Sequence, residues 1–242
     1  MTPSTASVEP INRLAVEQLV VRTASGRMLV DIPALDLQPG SSLGISGPSG
    51  AGKSTLLYAL AGLMPASDGR IQWGTTDLAR LKEASRAAFR AQHMGLIFQD
   101  FLLFEELDAL ANAALPGQFR QRAERERLRA NARDHLQRLG IDSDARRVVS
   151  FSGGERQRVA VARALAGDPP VVLADEPTAS LHRDAADHLI DDLLALVREA
   201  QRTLIIVSHD PRVLSRLDRI IELADGRPTD SATVGTTTKE AR

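Results

Sequence analysis

The feature that most constrains this chain is a complete phosphate-loop motif, GxxxxGK[ST], which residues 47–55 match. Residues 43–46 precede it and are short and apolar enough for a buried strand, and residues 54–61 follow it and predict a helix. Strand, glycine loop and helix in this order are the setting in which the motif binds phosphate; the alternative is a glycine-rich turn that binds nothing. The sequence therefore predicts an α/β fold organised around this loop.

The residues of the loop indicate a polyphosphate as its ligand. Glycines at positions 47, 50 and 52 allow successive backbone N–H groups to point inward, and the helix amino end adds a partial positive charge. Lys53 supplies a mobile ammonium for the β and γ phosphates. The Ser54 hydroxyl is a candidate ligand of a Mg²⁺ ion that keeps most of its waters.

Composition excludes several other kinds of site. A length of 242 residues allows one large α/β domain, or one domain with a sizeable insertion. The 30 basic and 31 acidic residues nearly cancel, so charge does not indicate a nucleic-acid partner. The chain has 0 cysteines, which excludes disulfides and thiolate metal sites. We expect no signal peptide in residues 1–10 and no membrane span, since no run approaches about 20 apolar residues.

The strand and helix patterns divide the chain into five expected segments. Apolar alternation in residues 16–21 and 28–37 predicts antiparallel strands. The runs 171–174 and 203–207 are apolar on both faces and are separated by helices, which predicts a parallel sheet covered on both sides. The expected segments are a disordered start (1–12), a first core part with the antiparallel strands and the phosphate loop (13–99), a helical subdomain (100–150), a second core part (151–227) and a flexible tail (228–242).

The helical subdomain is predicted from a long charged helix with one thin apolar face. Residues 118–139 carry many Arg and Glu side chains, which we interpret as a solvated face with ion pairs and not as a nucleic-acid site. The apolar face is predicted to consist of Phe119, Ala123, Leu128, Ala132, Leu136 and Leu139.

Two carboxylates follow the apolar run 171–174 and are candidates for catalysis. They emerge at the carboxyl end of a predicted strand, where doubly wound sheets place their ligands. Asp175 is expected to hold the magnesium, directly or through water, and Glu176 to act as the base that orients and polarises the attacking water. A polar strand end that opens a turn is the alternative, and the phosphate loop in the same chain favours the site.

A second anion site is predicted ahead of the helical pattern that runs through Ala166. There a serine cap, Ser152, is followed by Gly153 and Gly154, so the helix amino end is unusually bare. One nucleotide does not need two such helix ends.

Five motifs, in order along residues 14–227, resemble those of ABC-type ATPases. Besides the phosphate loop, residues 151–160 (FSGGERQRVA) resemble the LSGGQ signature, and residues 174–178 (ADEPT) resemble the Walker B motif with its catalytic glutamate. Gln99 stands where the family has its Q-loop, and His209 in the sequence Ser-His-Asp resembles the switch histidine.

The resemblance implies a P-loop NTPase fold of ABC type, with a mixed central sheet, an antiparallel β subdomain and a helical insertion. It also implies ATP hydrolysis with Mg²⁺ in a homodimer, in which two subunits pair head to tail. The signature of one subunit closes over the γ-phosphate on the phosphate loop of the other, which explains two anion sites in one chain. The implied residues are Glu176, His209 and Gln99 for catalysis; Gly47, Ser49, Gly50, Ala51, Gly52, Lys53, Ser54 and Thr55 for ATP; Ser54, Gln99 and Asp175 for the metal; and Ser152, Gly153, Gly154 and Glu155 across the dimer.

Two departures from the family pattern stand out. Residues 20–23 lack the aromatic side chain that the family usually stacks on adenine, and Arg22 is expected to cover the ring instead. His182 stands where the family's D-loop has an aspartate, after Ala179-Ser180-Leu181. Because the D-loop couples the two nucleotide sites, the resemblance implies an altered turnover rate.

The motif forms are most similar to the branch of lipoprotein-release, macrolide-export and cell-division ATPases. This similarity implies a peripheral protein at the cytoplasmic face of the inner (plasma) membrane. A membrane-spanning permease is expected to dock at the apolar cluster from Phe98 to Leu107, with Glu105 and Glu106 at the rim. The alternative is that this cluster is ordinary core of the helical insertion.

Three functions stay open at this point. The first is an ATPase subunit that powers export or lipid and lipoprotein extraction. The second is a signalling or mechanical module of the cell-division kind, in which ATP regulates a periplasmic activity and nothing crosses the membrane. The third, a small-molecule kinase, would need an acceptor pocket and has no use for the bare helix end at residues 152–154.

Overall fold

A computed structural model describes residues 10–142 and 146–229, except for the side chain of Phe119. Most of the predicted disordered start and nearly all of the predicted tail lie outside the described residues. Within the described residues, two sheets form the frame of the molecule, one of four strands and one of six. Among those residues, no helix is both long and apolar enough to cross a membrane.

The first sheet is antiparallel, in the strand order β2-β1-β4-β5. It forms because inward-facing apolar side chains, such as Leu19 and its cross-strand partner Ile32, pack in the core. Pro33 is tolerated because β2 lies at the sheet edge, where a missing N–H breaks no ladder. The strands are β1 (Leu14–Arg22), β2 (Met28–Leu37), β4 (Asp68–Trp73) and β5 (Thr76–Asp77).

The second sheet has the order β10-β9-β3-β8-β7-β6. Its pairs are parallel apart from the antiparallel pair of β9 and β10, which makes the sheet mixed, as predicted. Since β3, β8 and β7 are neighbours and run in the same direction, the chain segments that follow them meet at one edge. The strands are β3 (Ser42–Ser46), β6 (Met94–Ile97), β7 (Val171–Asp175), β8 (Thr203–Val207), β9 (Arg219–Ala224) and β10 (Arg227–Pro228).

Helices and the antiparallel sheet cover both faces of the parallel strands. In β7, Val172 and Ala174 belong to one core cluster, whereas Val171 and Leu173 belong to a second cluster that includes the antiparallel sheet. Trp73 is fully buried, and its Nε1 donates to Leu60 O at 2.9 Å, which ties β4 to the helix after the phosphate loop. The helices are α1 (Lys53–Leu60), α2 (Glu83–His93), α3 (Ala109–Ala113), α4 (Arg122–Arg138), α5 (Gly153–Leu165), α6 (Arg183–Glu199) and α7 (Pro211–Leu214).

The predicted charged helix is α4, but it begins later than residue 118. Leu115–Phe119 form a separate 3-10 turn, because Pro116 in its first positions suits a new helical start. Ala123, expected on the apolar face, is exposed in the first turn of α4, so that prediction is wrong. The ion pairs expected on the charged face are present, as in the i,i+4 pair between Arg122 and Glu126 at 3.0 Å.

Candidate nucleotide site

The phosphate loop follows β3 and depends on its glycines. Gly47, Gly50 and Gly52 all have positive φ, which L side chains rarely adopt. A Cβ at Gly47 would lie 2.2 Å from the carbonyl oxygen of Leu223, and one at Gly52 would lie 2.7 Å from that of Leu29. No other residue type fits these positions without moving the neighbouring strands.

Lys53, the first residue of α1, has its ammonium at this loop. Its Nζ donates to the carbonyl oxygens of Gly47 at 2.8 Å and Pro48 at 2.9 Å. These bonds hold a positive charge where the loop borders an open cleft. An anion in the cleft would therefore meet both the ammonium and the amino end of α1.

The cleft beside the loop has a volume of about 760 Å³ and joins residues from distant parts of the sequence. Most of the sequence-predicted residues line it: Gly47, Ser49, Gly50, Gly52, Lys53, Ser54, Thr55, Gln99, Glu176 and His209. They meet because the loops after β3, β6, β7 and β8 all leave the same edge of the sheet. We call this space the nucleotide cleft.

Two of the residues predicted to bind ATP or metal lie beside the nucleotide cleft and not in its lining. Ala51 does not line the nucleotide cleft; it is buried, and its carbonyl oxygen accepts from the Gly226 N–H at 3.2 Å. Asp175 is buried behind Ser54, with an exposed fraction of 2%. Its Oδ1 accepts a hydrogen bond from Ser54 Oγ at 3.0 Å, so the predicted metal ligands Ser54 and Asp175 are adjacent.

The chemistry of this donor set fits magnesium. The hydroxyl of Ser54, the carboxylate of Asp175 and the amide of Gln99 offer hard oxygen atoms of the kind that Mg²⁺ prefers. In the described part of the chain, no three His, Cys, Asp or Glu residues cluster closely enough to hold a metal by themselves. A magnesium ion here would therefore take its remaining ligands from phosphate and water, as is usual for this ion.

Tyr58 is a neighbour of Asp175 that sequence reasoning missed. Its phenol O–H donates to Asp175 Oδ2 at 2.7 Å. Burial, together with this bond, raises the pKa of the Tyr58 phenol well above its usual value, so the hydroxyl stays protonated. The only signal in the sequence was its position four residues after Ser54, which puts both side chains on one face of α1.

Glu176 and His209 form a pair inside the nucleotide cleft. The Nδ1 of His209 lies 2.9 and 3.0 Å from the two carboxylate oxygens of Glu176. Glu176 has a positive φ of 45°, and its N–H donates to Val207 O at 3.0 Å, so the backbone turns after β7 and is tied to the end of β8. Glu176 is mostly buried and His209 is exposed, with side-chain exposures of 13% and 71%. The geometry allows the Glu176 carboxylate to accept a proton from a water molecule and the His209 imidazole to orient that water.

The amino end of α5 is the second predicted anion site. Ser152 and Glu155 form a capping box: Ser152 Oγ accepts from the Glu155 N–H, and Glu155 Oε2 accepts from the Ser152 N–H at 2.8 Å. These backbone and hydroxyl bonds, with Arg146, lower the pKa of Glu155 below its usual value. The helix tip is therefore well ordered, and Gly153 and Gly154 leave its remaining N–H groups uncovered by side chains.

The signature segment, which we define as Ser152–Glu155, lies next to the D-loop of the same chain. A Cβ at Gly153 would lie 3.6 Å from Ser180 O, and one at Gly154 would lie 3.6 Å from Leu181 Cδ2, both ordinary contacts. His182 occupies the N-cap of α6, but its side chain makes no capping hydrogen bond, unlike an aspartate in that position.

Arg22 does not take the place of the missing aromatic residue. Its Nη1 donates to Gly26 O at 3.2 Å, within the turn between β1 and β2, and it is not part of the cleft lining. The residues of this turn that do line the nucleotide cleft are Arg27, Met28 and Leu29. In this structure Arg27, and not Arg22, is therefore the arginine of this turn that borders the nucleotide cleft.

Comparison with known proteins agrees with this geometry. The sequence profile described as "ABC transporter" matches residues 30–179. A macrolide export ATP-binding/permease protein, MacB 1/2 of Paracoccus denitrificans, is 43% identical over 83% of this chain, which spans only 30% of that protein. The lipoprotein-releasing system ATP-binding protein LolD of Chromohalobacter salexigens is 38% identical, over 84% of this chain and 86% of its own length.

One solved structure is similar to this chain in both fold and sequence. It is the ATP-binding cassette MJ0796, described as a dimer in a post-hydrolysis state bound to ADP and Pi. It is 31% identical with a TM-score of 0.77, and the alignment covers 89% of this chain and 96% of the cassette.

Proposed function

The chain belongs to the ABC transporter family as an ATP-binding subunit with ATPase activity, and on that premise we propose that two copies work head to tail. In this proposal they drive a membrane-spanning partner in export or in the extraction of lipids or lipoproteins. ATP binds with Mg²⁺ in the nucleotide cleft, and the protein lies at the cytoplasmic face of the inner membrane. The similarity to the export protein MacB and to LolD supports export or extraction as the function of the complex.

The dimer is proposed because one chain has two candidate anion-binding surfaces that lie apart from each other. Among the described residues that line the nucleotide cleft, none belongs to the signature segment. The signature segment nevertheless presents an ordered helix amino end, which suits a phosphate. In the proposal a second copy brings such a helix end to the nucleotide, and the dimeric state of the MJ0796 cassette supports pairing of two copies.

Within the cleft, this chain's residues have distinct roles in the proposal. The phosphate loop and Lys53 bind the triphosphate, and Ser54, Asp175 and Gln99 would hold the magnesium, which neutralises developing phosphate charge when bound. Glu176 accepts a proton from the attacking water. His209 fixes the Glu176 carboxylate and faces the same space, so it orients that water.

Arg27 is proposed to cover the adenine base in place of an aromatic residue, because a guanidinium can stack on a ring. Arg27→Ala should then weaken ATP binding about fivefold to thirtyfold, the equivalent of roughly 1–2 kcal/mol. Arg22→Ala is the matched control and should bind ATP like the unaltered protein. Isothermal titration measures both, and equal affinities for the two variants would contradict this role.

The membrane partner is proposed to dock on an exposed apolar surface that follows the Q-loop. Leu102, Phe104 and Val149 are exposed to 56%, 52% and 52%, and we call these three residues the docking patch. Val149 reaches the patch because its N–H donates to Glu105 O at 3.2 Å. The sequence left open whether the cluster from Phe98 to Leu107 is core. In the structure Leu103 packs against the core, whereas Leu102 and Phe104 are exposed.

The backbone at the docking patch is held by α5, the helix that begins in the signature segment. Phe101 and Leu102 both have positive φ, 59° and 50°, which is unusual for such side chains. Arg163, in the last turn of α5, donates to the carbonyl oxygens of both residues, at 2.6 Å for Phe101. This helix therefore also positions the docking patch. In the proposal, it links nucleotide binding at the signature segment to the membrane partner.

Reconstitution tests this proposal. The chain is combined in liposomes with a candidate membrane-spanning permease, and ATP hydrolysis and substrate removal are measured. Phe104→Ser should lower the stimulation by the partner about tenfold, as for a central interface anchor, and leave the ATPase rate of the isolated chain unchanged. Leu63→Ser, an exposed leucine outside the patch, is the control. Stimulation without movement or extraction of any substrate would favour the signalling function instead.

A further inference from the structure

Two hydroxyl groups from successive turns of α1 converge on the same buried carboxylate. Ser54 Oγ donates to Asp175 Oδ1 at 3.0 Å, and the Tyr58 O–H donates to Asp175 Oδ2 at 2.7 Å. Both carboxylate oxygens are therefore engaged, each by a different side chain. Asp175 itself is 2% exposed, so these contacts are shielded from competing water.

The Tyr58 bond is the shorter of the two and has the usual length of an O–H···O hydrogen bond. The carboxyl group of aspartate otherwise turns in a broad, roughly two-fold torsional well. The Tyr58 hydrogen bond to Oδ2, added to the Ser54 bond to Oδ1, restricts this rotation. It keeps Oδ1 on the side of Ser54, where the metal ligands meet.

The Tyr58 ring is itself positioned by the Q-loop side of the site. Its centroid lies 6.2 Å from that of Phe98, at an interplanar angle of 46°, a favourable aromatic arrangement. Phe98 directly precedes Gln99, which lines the nucleotide cleft. Tyr58 thus contacts Asp175 through its hydroxyl and the neighbour of Gln99 through its ring.

We propose that Tyr58 is a positioning residue for the metal: its phenol fixes the Asp175 carboxylate in the orientation that binds magnesium together with Ser54. This inference rests on the proposed function, since it requires a nucleotide and a divalent cation in the cleft. Groups that orient a metal ligand typically contribute tenfold or more to metal affinity.

The test compares Tyr58→Phe with the unaltered protein, using Mn²⁺ as a paramagnetic substitute for magnesium. Mn²⁺ is titrated into the complex with saturating ADP and followed by electron paramagnetic resonance. Tyr58→Phe keeps the ring and loses only the hydroxyl, and it should bind Mn²⁺ about tenfold more weakly. ADP affinity in EDTA should not change, because the phosphate loop does not depend on Tyr58.

Ser46→Ala is the matched control. It also removes a hydroxyl close to the phosphate loop, but Ser46 Oγ donates to Ile221 O and not to Asp175, so Mn²⁺ affinity should be retained. Mn²⁺ binding by Tyr58→Phe that equals or exceeds that of the unaltered protein would overturn the inference. An equal weakening of ADP binding with and without metal would also overturn it, since that is a general structural effect. Failure of the unaltered protein to bind ADP in the presence of Mn²⁺ would instead contradict the proposed function.

Discussion

Glu176→Gln is expected to lower ATP hydrolysis by about 100-fold or more and to leave ATP binding intact. The amide has nearly the same shape, so the cleft keeps its form, but it cannot accept the proton of the attacking water. The amide can still hydrogen-bond the His209 ring, whose Nδ1 lies 2.9 Å from the carboxylate, but it lacks the carboxylate's negative charge. Phosphate release under saturating ATP measures the first effect, and equilibrium titration of ATP measures the second.

Asp225→Asn is the control for charge in the same space. Asp225 also lines the nucleotide cleft, so this variant removes a negative charge there without touching the Glu176–His209 pair. It should keep the hydrolysis rate within about tenfold, below the loss that removal of a general base causes. If Glu176→Gln hydrolyses ATP like the unaltered protein, Glu176 is not the base.

Lys53→Ala is expected to weaken ATP binding by on the order of 10-fold to 100-fold. The ammonium is held at the phosphate loop by two carbonyl oxygens, so it is in place when the triphosphate arrives. Hydrogen bonds to charged groups contribute roughly 1.5–3 kcal/mol, and each 1.4 kcal/mol is a factor of ten in affinity. Isothermal titration with ATP measures the loss.

The matched control for this variant is Lys82→Ala. Lys82 is the other lysine in the described part of the chain, and it is exposed at the start of α2, outside the nucleotide cleft. Its replacement should not change ATP affinity. An affinity for ATP that is unchanged in Lys53→Ala would count against the phosphate loop as the binding site.

The parts of the fold that sequence reasoning predicted are those that local pattern determines. Thr203–Val207 is a strand with the predicted bounds, because a short run that is apolar on both faces and lies between helices fits a buried parallel strand. The phosphate loop was found because its glycines and its lysine all lie within residues 47–53. The short α3 was missed, since it depends on a buried Asn112 whose amide bonds the backbone of residues 104–108.

The parts of the site that were missed depend on contacts between distant segments. Tyr58 meets Asp175 across 117 residues of sequence, and no local pattern marks that encounter. Arg27 was overlooked in favour of Arg22, because the direction of each side chain depends on the turn between β1 and β2. The boundaries of the helical subdomain at 100 and 150, and the role of each site residue, stay predictions.

The head-to-tail dimer can be tested through the mass of the Glu176→Gln variant in Mg²⁺-ATP. Light scattering coupled to gel filtration should give a dimer with ATP and a monomer without it, because slow hydrolysis preserves the bound triphosphate. Adding Gly154→Asp should abolish the dimer: a carboxylate near the amino end of α5 suits that helix, but it repels a phosphate approaching the same end. If Glu176→Gln stays monomeric in saturating Mg²⁺-ATP, the signature segment does not act across two copies, and the account is contradicted.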